Sequence, residues 1–188
     1  MVVLLPAWIS PHKVGGEKNS QMPTWRPGGA SAQQRLAMLQ LAIAGEAGFT
    51  VDDRELARGA AAAAGGKPSY TIDTVEELVR ERPRERLTLL IGADQLPKLH
   101  TWQEAVRLFT MVDVGVLGRP SDRSMQAALV TVRQHLGAKV ADRLTLLPTP
   151  LIEISATDIR RRVREGVSIG YLLPDRVAEF MVREGLYR

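Results

Sequence analysis

Leu87-Thr88-Leu89-Leu90-Ile91-Gly92-Ala93-Asp94 is the stretch on which the fold turns. A short, nearly continuous aliphatic run is the pattern of a strand covered on both faces, as in a parallel sheet, and it predicts that this strand is central. The run leads directly into Gly92-Ala93-Asp94, which places a carboxylate just past the carboxyl end of the strand. Parallel α/β sheets collect their ligands at that end, and an aspartate there commonly holds ribose hydroxyls. The same Asp94 also suits the plainer role of a turn cap after glycine.

Working outward, apolar runs alternate with helical periodicities. Residues 2–5 are apolar and stopped by Pro6, which suits another buried parallel strand. A loop rich in glycine and proline covers roughly residues 14–30, a length that often accompanies a ligand. Ser31 and Gln34 form a capping box opening a helix, with Leu36, Leu39 and Ile43 expected on one face. Residues 49–51 read as a strand, and the Ala/Gly run 59–66 as an exposed loop or frayed turn. Ser69-Tyr70-Thr71 leads into a helix carrying Val75, Leu78 and Val79, ending near Pro83. Past Asp94 the pattern predicts one helix containing Trp102, Val106 and Phe109, then a strand over 112–117. A helix over 124–136 and a strand over 144–147 follow. Pro174 opens a final helix with Val177, Phe180 and Met181 inward, ended by Gly185. Strand and helix in alternation predict an α/β fold with a parallel sheet and helices on both faces.

Composition bounds the possibilities. At 188 residues the chain suits a single domain, 1–188, with a real core. Hydrophobic content of 45% and charged content of 24% are those of an ordinary soluble globule. Cysteine is absent, which excludes disulfides and thiolate metal sites. No apolar stretch approaches membrane-spanning length, and the start lacks the basic region of a signal peptide, so a cytoplasmic location without membrane attachment is expected. The net charge of +4 permits nucleic acid or small phosphorylated ligands. Aromatics make up only 5% and do not interleave with the one dense basic cluster, residues 160–164, so nucleic acid is not the expected partner.

That cluster belongs to a second informative stretch, Ile154-Ser155-Ala156-Thr157-Asp158-Ile159-Arg160. Ser155 with Asp158 three residues on is a capping box with Asp in the usual place of Glu. Ile159 and Val163 share one helical face. A helix start presents free N–H groups and the positive end of a dipole, and both favour an anion. Arg160, one turn in, carries a planar fork suited to phosphate. A capped surface helix with solvated arginines satisfies the same spacing.

Lys13 follows the first strand, Asp94 the strand at 87–91 and Ser155 the last strand, so all three are expected on one rim of the sheet. A lysine there supplies a point charge for phosphate, although a solvated loop lysine reads the same way. Trp102 either packs on the sheet or stacks on a planar ring. His12, His100 and His135 show no metal-ligand spacing.

Taken in order, Val3-Leu4-Leu5-Pro6-Ala7 with Pro11-His12-Lys13, Ser69-Tyr70-Thr71-Ile72-Asp73-Thr74, Gly92-Ala93-Asp94-Gln95-Leu96, Leu99 through Trp102, Arg119-Pro120 and Ile154 through Arg160 closely resemble bacterial nicotinate-nucleotide adenylyltransferases. Tyr171-Leu172-Leu173-Pro174 and Gly185-Leu186-Tyr187 are similar to that family's ending. The resemblance implies a Rossmann-like nucleotidyltransferase in which the phosphate of nicotinate mononucleotide (NaMN) attacks the α-phosphorus of ATP. The products are deamido-NAD and pyrophosphate, with Mg²⁺ on the phosphates. It implies that Ile154, Ser155, Thr157 and Arg160 hold the ATP phosphates, Asp94 a nucleotide ribose, and Lys13 a phosphate of the mononucleotide or the reacting centre. Lys13 and Arg160 would be the catalytic cations. Tyr70 and Thr71 would offer backbone N–H groups to the nicotinate carboxylate, with Trp102 stacked on the pyridine ring. Adenylyltransferases for nicotinamide mononucleotide, and a non-catalytic nucleotide-binding module, are the alternatives.

The family hallmark, a first strand followed by a GxFDPxHxGH-type segment, does not occur in these residues. The chain therefore resembles a form that starts at the second strand. In the resemblance's strand order, 3-2-1-4-5, the first strand lies mid-sheet. The expectation is a destabilised fragment of a protein that begins earlier. Residues 2–5 would then be either separated from 87–91 by a groove or displaced to pair with them directly.

Overall fold

The computed structural model describes residues 1–9, 29–61, 68–118, 123–150 and 152–188. Residues 10–28, with His12 and Lys13, and residues 119–122, with Arg119 and Pro120, lie outside them. The chain divides into two compact units, residues 1–69 with 153–188, and residues 70–152.

In the first unit, strand β1 (Val2–Leu4) pairs in parallel with β2 (Phe49–Val51), Val2 opposite Phe49 and Leu4 opposite Val51. Helix α1 (Ala32–Ala42) starts on a complete capping box: the Ser31 hydroxyl accepts from the Gln34 N–H at 3.1 Å, and the Gln34 side chain accepts from the Ser31 N–H at 3.0 Å. Leu36, Leu39 and Ile43, spaced to share one face, are half-buried, while α1 packs Ala37, Met38, Leu41 and Ala42 on the cluster of Ile169, Val177, Phe180, Met181 and Leu186. Small residues there let the helix approach closely, and Ile43 has already become the C-cap. Helix α2 (Arg54–Ala61) takes in residues 59–61 of the run expected as a loop or frayed turn; residues 62–66 of it lie outside the described residues. Alanine is the strongest helix former, and Gly59 is accepted because the space beside it is filled by an indole.

The second unit holds helix α3 (Thr71–Glu81), strand β3 (Thr88–Gly92), a 3-10 helix (Ala93–Thr101), α4 (Ala105–Met111), β4 (Asp113–Gly118), α5 (Arg123–Leu136), the short α6 (Ala138–Ala141) and β5 (Leu144–Pro148). Its three strands are parallel in the order β3-β4-β5. Their helix-covered face and the helices form one core in which Leu96, Leu99, Leu108, Phe109 and Val116 have no exposed surface. Burying each of these contributes roughly 1.5–3 kcal/mol.

Two expectations change here. β3 is not central: among the described residues its one strand partner is β4, which sits in the middle. Leu89 and Ile91 turn toward the helices, but Leu90 on the opposite face is 43% exposed. Among the described residues β1 pairs with β2 alone, so of the two outcomes expected for residues 2–5, direct pairing with 87–91 is not the one made. The single helix expected through Trp102 and Phe109 is two elements. Pro97 sits inside the 3-10 helix, and Glu104 at a left-handed φ of 48° separates it from α4. Proline has no N–H to give and its ring crowds the preceding turn, so a continuous α-helix is disfavoured.

Returning to the first unit, α7 (Ala156–Arg164) and α8 (Asp175–Arg183) close its core. Ile159 and Val163 from α7 pack on Val177, Phe180, Met181 and Leu186, as the sequence predicts. α8 follows Pro174 and ends before Gly185 at φ 60°.

Candidate functional site

The start of α7 has the character its sequence promises. Ser155 adopts an extended backbone, and its hydroxyl accepts the Asp158 N–H at 3.1 Å. The reciprocal half of the capping box is not made by Asp158, which is the correction to that motif. One Asp158 carboxylate oxygen accepts from Arg162 at 2.7 Å, the other from Arg161 at 2.6 Å. These bonds, that from Arg162 first, hold the Asp158 carboxyl below its ordinary range. Aspartate is one methylene shorter than the glutamate that usually reaches back to the cap, so its carboxylate meets the arginines of the next turn instead.

The arginine run therefore divides. Arg161 is shared between Asp158 and Glu165. Arg162 pairs with Asp158 and donates to the Tyr171 hydroxyl at 2.5 Å. Arg160 has no acidic partner among the described residues; its guanidinium lies 5.5 Å from the centre of the Tyr187 ring. Ile154, Ser155, Thr157 and Arg160 are all exposed, Ile154 by 46%. A capped helix start with unused N–H groups and one unneutralised guanidinium a turn away is suited to an anion.

In the unit of residues 70–152, Tyr70 is the N-cap of α3 and makes no side-chain cap bond, and Thr71 is the first helical residue. The first-turn N–H groups of α3 thus have no side-chain acceptor at the cap. Tyr70 itself packs against the core of this unit. Asp94 is exposed and accepts from the Gln95 amide at 2.6 Å. Its Oδ1 sits 2.4 Å from where a Cβ on Gly92 would be, so a side chain at Gly92 would displace the carboxylate from this position. Trp102 is half-buried against the core, with its ring 6.0 Å from that of Phe109. Its indole N–H is buried without a hydrogen-bond partner among the described residues.

Sequence reasoning passed over the clamp at the exit of β1. Arg35 of α1 donates to the carbonyls of Ala7 at 2.6 Å and Trp8 at 3.0 Å. Burial lowers the Arg35 pKa, with Tyr187 acting the other way. The Ser69 hydroxyl accepts the Trp8 N–H at 3.0 Å, and the Ser69 N–H donates to Ile9 at 2.9 Å. The chain leading toward Lys13 is thus held from two sides. The partners are far apart in sequence, so no local pattern announces them.

Parallel strands alternating with helices are the architecture of a Rossmann-like nucleotidyltransferase, and the cytidylyltransferase-like family model matches residues 14–162. A probable nicotinate-nucleotide adenylyltransferase of Yersinia enterocolitica is 37% identical over 100% of this chain and 81% of its own length. Another, from Thermomicrobium roseum, is 39% identical over 100% of this chain and 77% of its own. Among solved structures, Plasmodium falciparum nicotinic acid mononucleotide adenylyltransferase complexed with APC superposes with a TM-score of 0.60 at 14% identity. It covers 84% of this chain and 76% of that one, and at this identity shares the fold alone. The chain belongs to the nicotinate-nucleotide adenylyltransferase family.

Proposed function

We propose that this protein transfers the adenylyl group of ATP to nicotinate mononucleotide, giving deamido-NAD and pyrophosphate. The observation that carries the reading is Arg160: it lies one turn inside the Ser155-capped start of α7, without the acid partners that occupy Arg161 and Arg162. In this reading Ile154, Ser155 and Thr157 place the ATP phosphates against free N–H groups, and Arg160 supplies charge. Asp94 accepts from a ribose hydroxyl. Tyr70 and Thr71 offer the start of α3 to the pyridine carboxylate, and Trp102 faces the pyridine ring. Lys13 serves the mononucleotide phosphate.

A phosphate oxygen of the mononucleotide bonds to the α-phosphorus as the bond from that phosphorus to the pyrophosphate oxygen breaks. Little covalent chemistry falls to the protein; it aligns the two phosphates and stabilises the charge that builds on the leaving group. Magnesium would come with the ATP co-substrate and supply positive charge at its phosphates. Among the described residues no three His, Cys, Asp or Glu side chains gather in one place. No helix of the described residues is long and apolar enough to cross a membrane, which is compatible with work in the cytoplasm, where ATP is used.

Pyrophosphate release measured with nicotinate and with nicotinamide mononucleotide tests the assignment. A clear preference for the carboxylate is expected. Preference for the amide would overturn the choice of acceptor. ATP binding with no release on either would make the chain a nucleotide-binding module instead.

A further inference from the structure

We infer that Tyr187 is a positioning residue that holds Arg160 for the nucleotide phosphates. The inference rests on the phosphate reading of α7 and adds to it the group that orders the cation. Of three consecutive arginines, two are fixed by Asp158, with Glu165 and Tyr171 completing their partners. Arg160 is fixed by the Tyr187 ring, 5.5 Å from its carbon Cζ, a separation at which the ring's negative face attracts the cation.

The kind of partner matters. A carboxylate would order Arg160 but cancel its charge and occupy its N–H donors. A ring orders it while leaving both available, so an incoming phosphate meets a full charge and an open fork. A long side chain left free in water would lose rotamer freedom on binding, and that cost falls when the side chain is already held.

A second observation singles out the same residue. Tyr187 has a φ of 63°, the left-handed region that a bulky side chain rarely adopts. Such a conformation persists where the surroundings over-determine it. Here the Leu186 N–H donates to the Met181 carbonyl at 2.9 Å, and Leu186 is 4% exposed. Tyr187 packs on the same core as Ile159 and Val163 of α7, so the ring and the helix that carries the guanidinium rest on one cluster.

The test is a double-mutant cycle on the full chain, reading ATP dissociation constants by calorimetry and folding by thermal unfolding. Arg160→Ala should weaken ATP binding about ten- to 150-fold. Tyr187→Leu, which keeps apolar bulk, should weaken it about three- to tenfold in the native background and not further in the Arg160→Ala background. Tyr187→Phe, which keeps the ring, should recover most of the loss. Should Tyr187→Leu fail to fold, Tyr187→Met carries the same comparison. If Arg160→Ala weakens binding but Tyr187→Leu does not, or does so equally in both backgrounds, the inference falls alone. If Arg160→Ala leaves ATP binding unchanged, the phosphate reading of α7 falls and takes the inference with it.

Discussion

Arg35 donates from both ends of its guanidinium fork to the exit of β1, reaching the Trp8 carbonyl at 3.0 Å and the neighbouring Ala7 carbonyl at 2.6 Å. Two adjacent carbonyls that turn away from a strand need donors, and a planar fork provides both from one side chain. Arg35→Met keeps the apolar stem and removes both bonds. It should destabilise the protein by about 1.5–3 kcal/mol, measured by urea unfolding. Arg35→Lys should recover only part of that, since one ammonium does not match the fork. Full recovery with lysine would show that charge alone mattered.

Gly59 gives a substitution whose sign is set by sterics against propensity. In a helix interior, glycine to alanine ordinarily stabilises by about 1 kcal/mol. A Cβ on Gly59, however, would stand 2.1 Å from Cγ of Trp8, the base of the indole rather than a movable tip. Overpacking of this kind costs about 1–3 kcal/mol, so Gly59→Ala should be net destabilising in chemical denaturation. Gly48→Ala, where nothing lies within 4 Å, is the control without a clash. A stabilised Gly59→Ala would mean that the indole moves aside freely.

Gly92→Ala should separate stability from binding. The atom a Cβ would strike, Asp94 Oδ1 at 2.4 Å, is the end of an exposed side chain that can swing away. The fold should therefore tolerate the change within about 1 kcal/mol. The carboxylate would leave its place after β3, and nucleotide affinity should fall roughly tenfold, close to the loss in Asp94→Ala. An undisturbed affinity in Gly92→Ala would remove Asp94 from the site.

Asp158 should titrate in acid. Hydrogen bonds from Arg162 and then Arg161 hold its folded-state pKa below the ordinary 3.8. A carboxyl depressed on folding contributes stability that is fully present above the ordinary value and is lost as pH falls through the lower, folded one. Acid titration followed by NMR should thus find the Asp158 carboxyl ionised at pH values where other exposed carboxyls are protonated. Asp158→Asn should flatten the stability profile below about pH 4. A carboxyl titrating at the ordinary value would mean that the two ion pairs do not persist in water.

Much of this protein is decided by its sequence alone. Ser31 with Gln34, Ser155 before Ala156, and Pro174 before Asp175 mark helix starts, and all three helices begin there. Those signals act within one turn, so local chemistry suffices to read them. The inward face of α8, Val177, Phe180 and Met181, follows from period alone. Asp94 after a strand and Arg160 inside a capped helix were likewise visible as types of residue in types of place.

What tertiary structure decided are the matters that depend on which residues meet across long separations. The aliphatic run ending at Ile91 looks buried on both faces, yet Leu90 is exposed because coverage depends on neighbouring elements rather than on the run itself. Gly59 reads as loop, but Trp8, distant in sequence, fills the space beside it and lets the helix include it. The three consecutive arginines, Arg160 to Arg162, look interchangeable in a line of text. Only the folded arrangement commits Arg161 and Arg162 to carboxylates and leaves Arg160 on the ring of Tyr187, because ion pairing is set by side-chain reach and by the distant segment that arrives alongside.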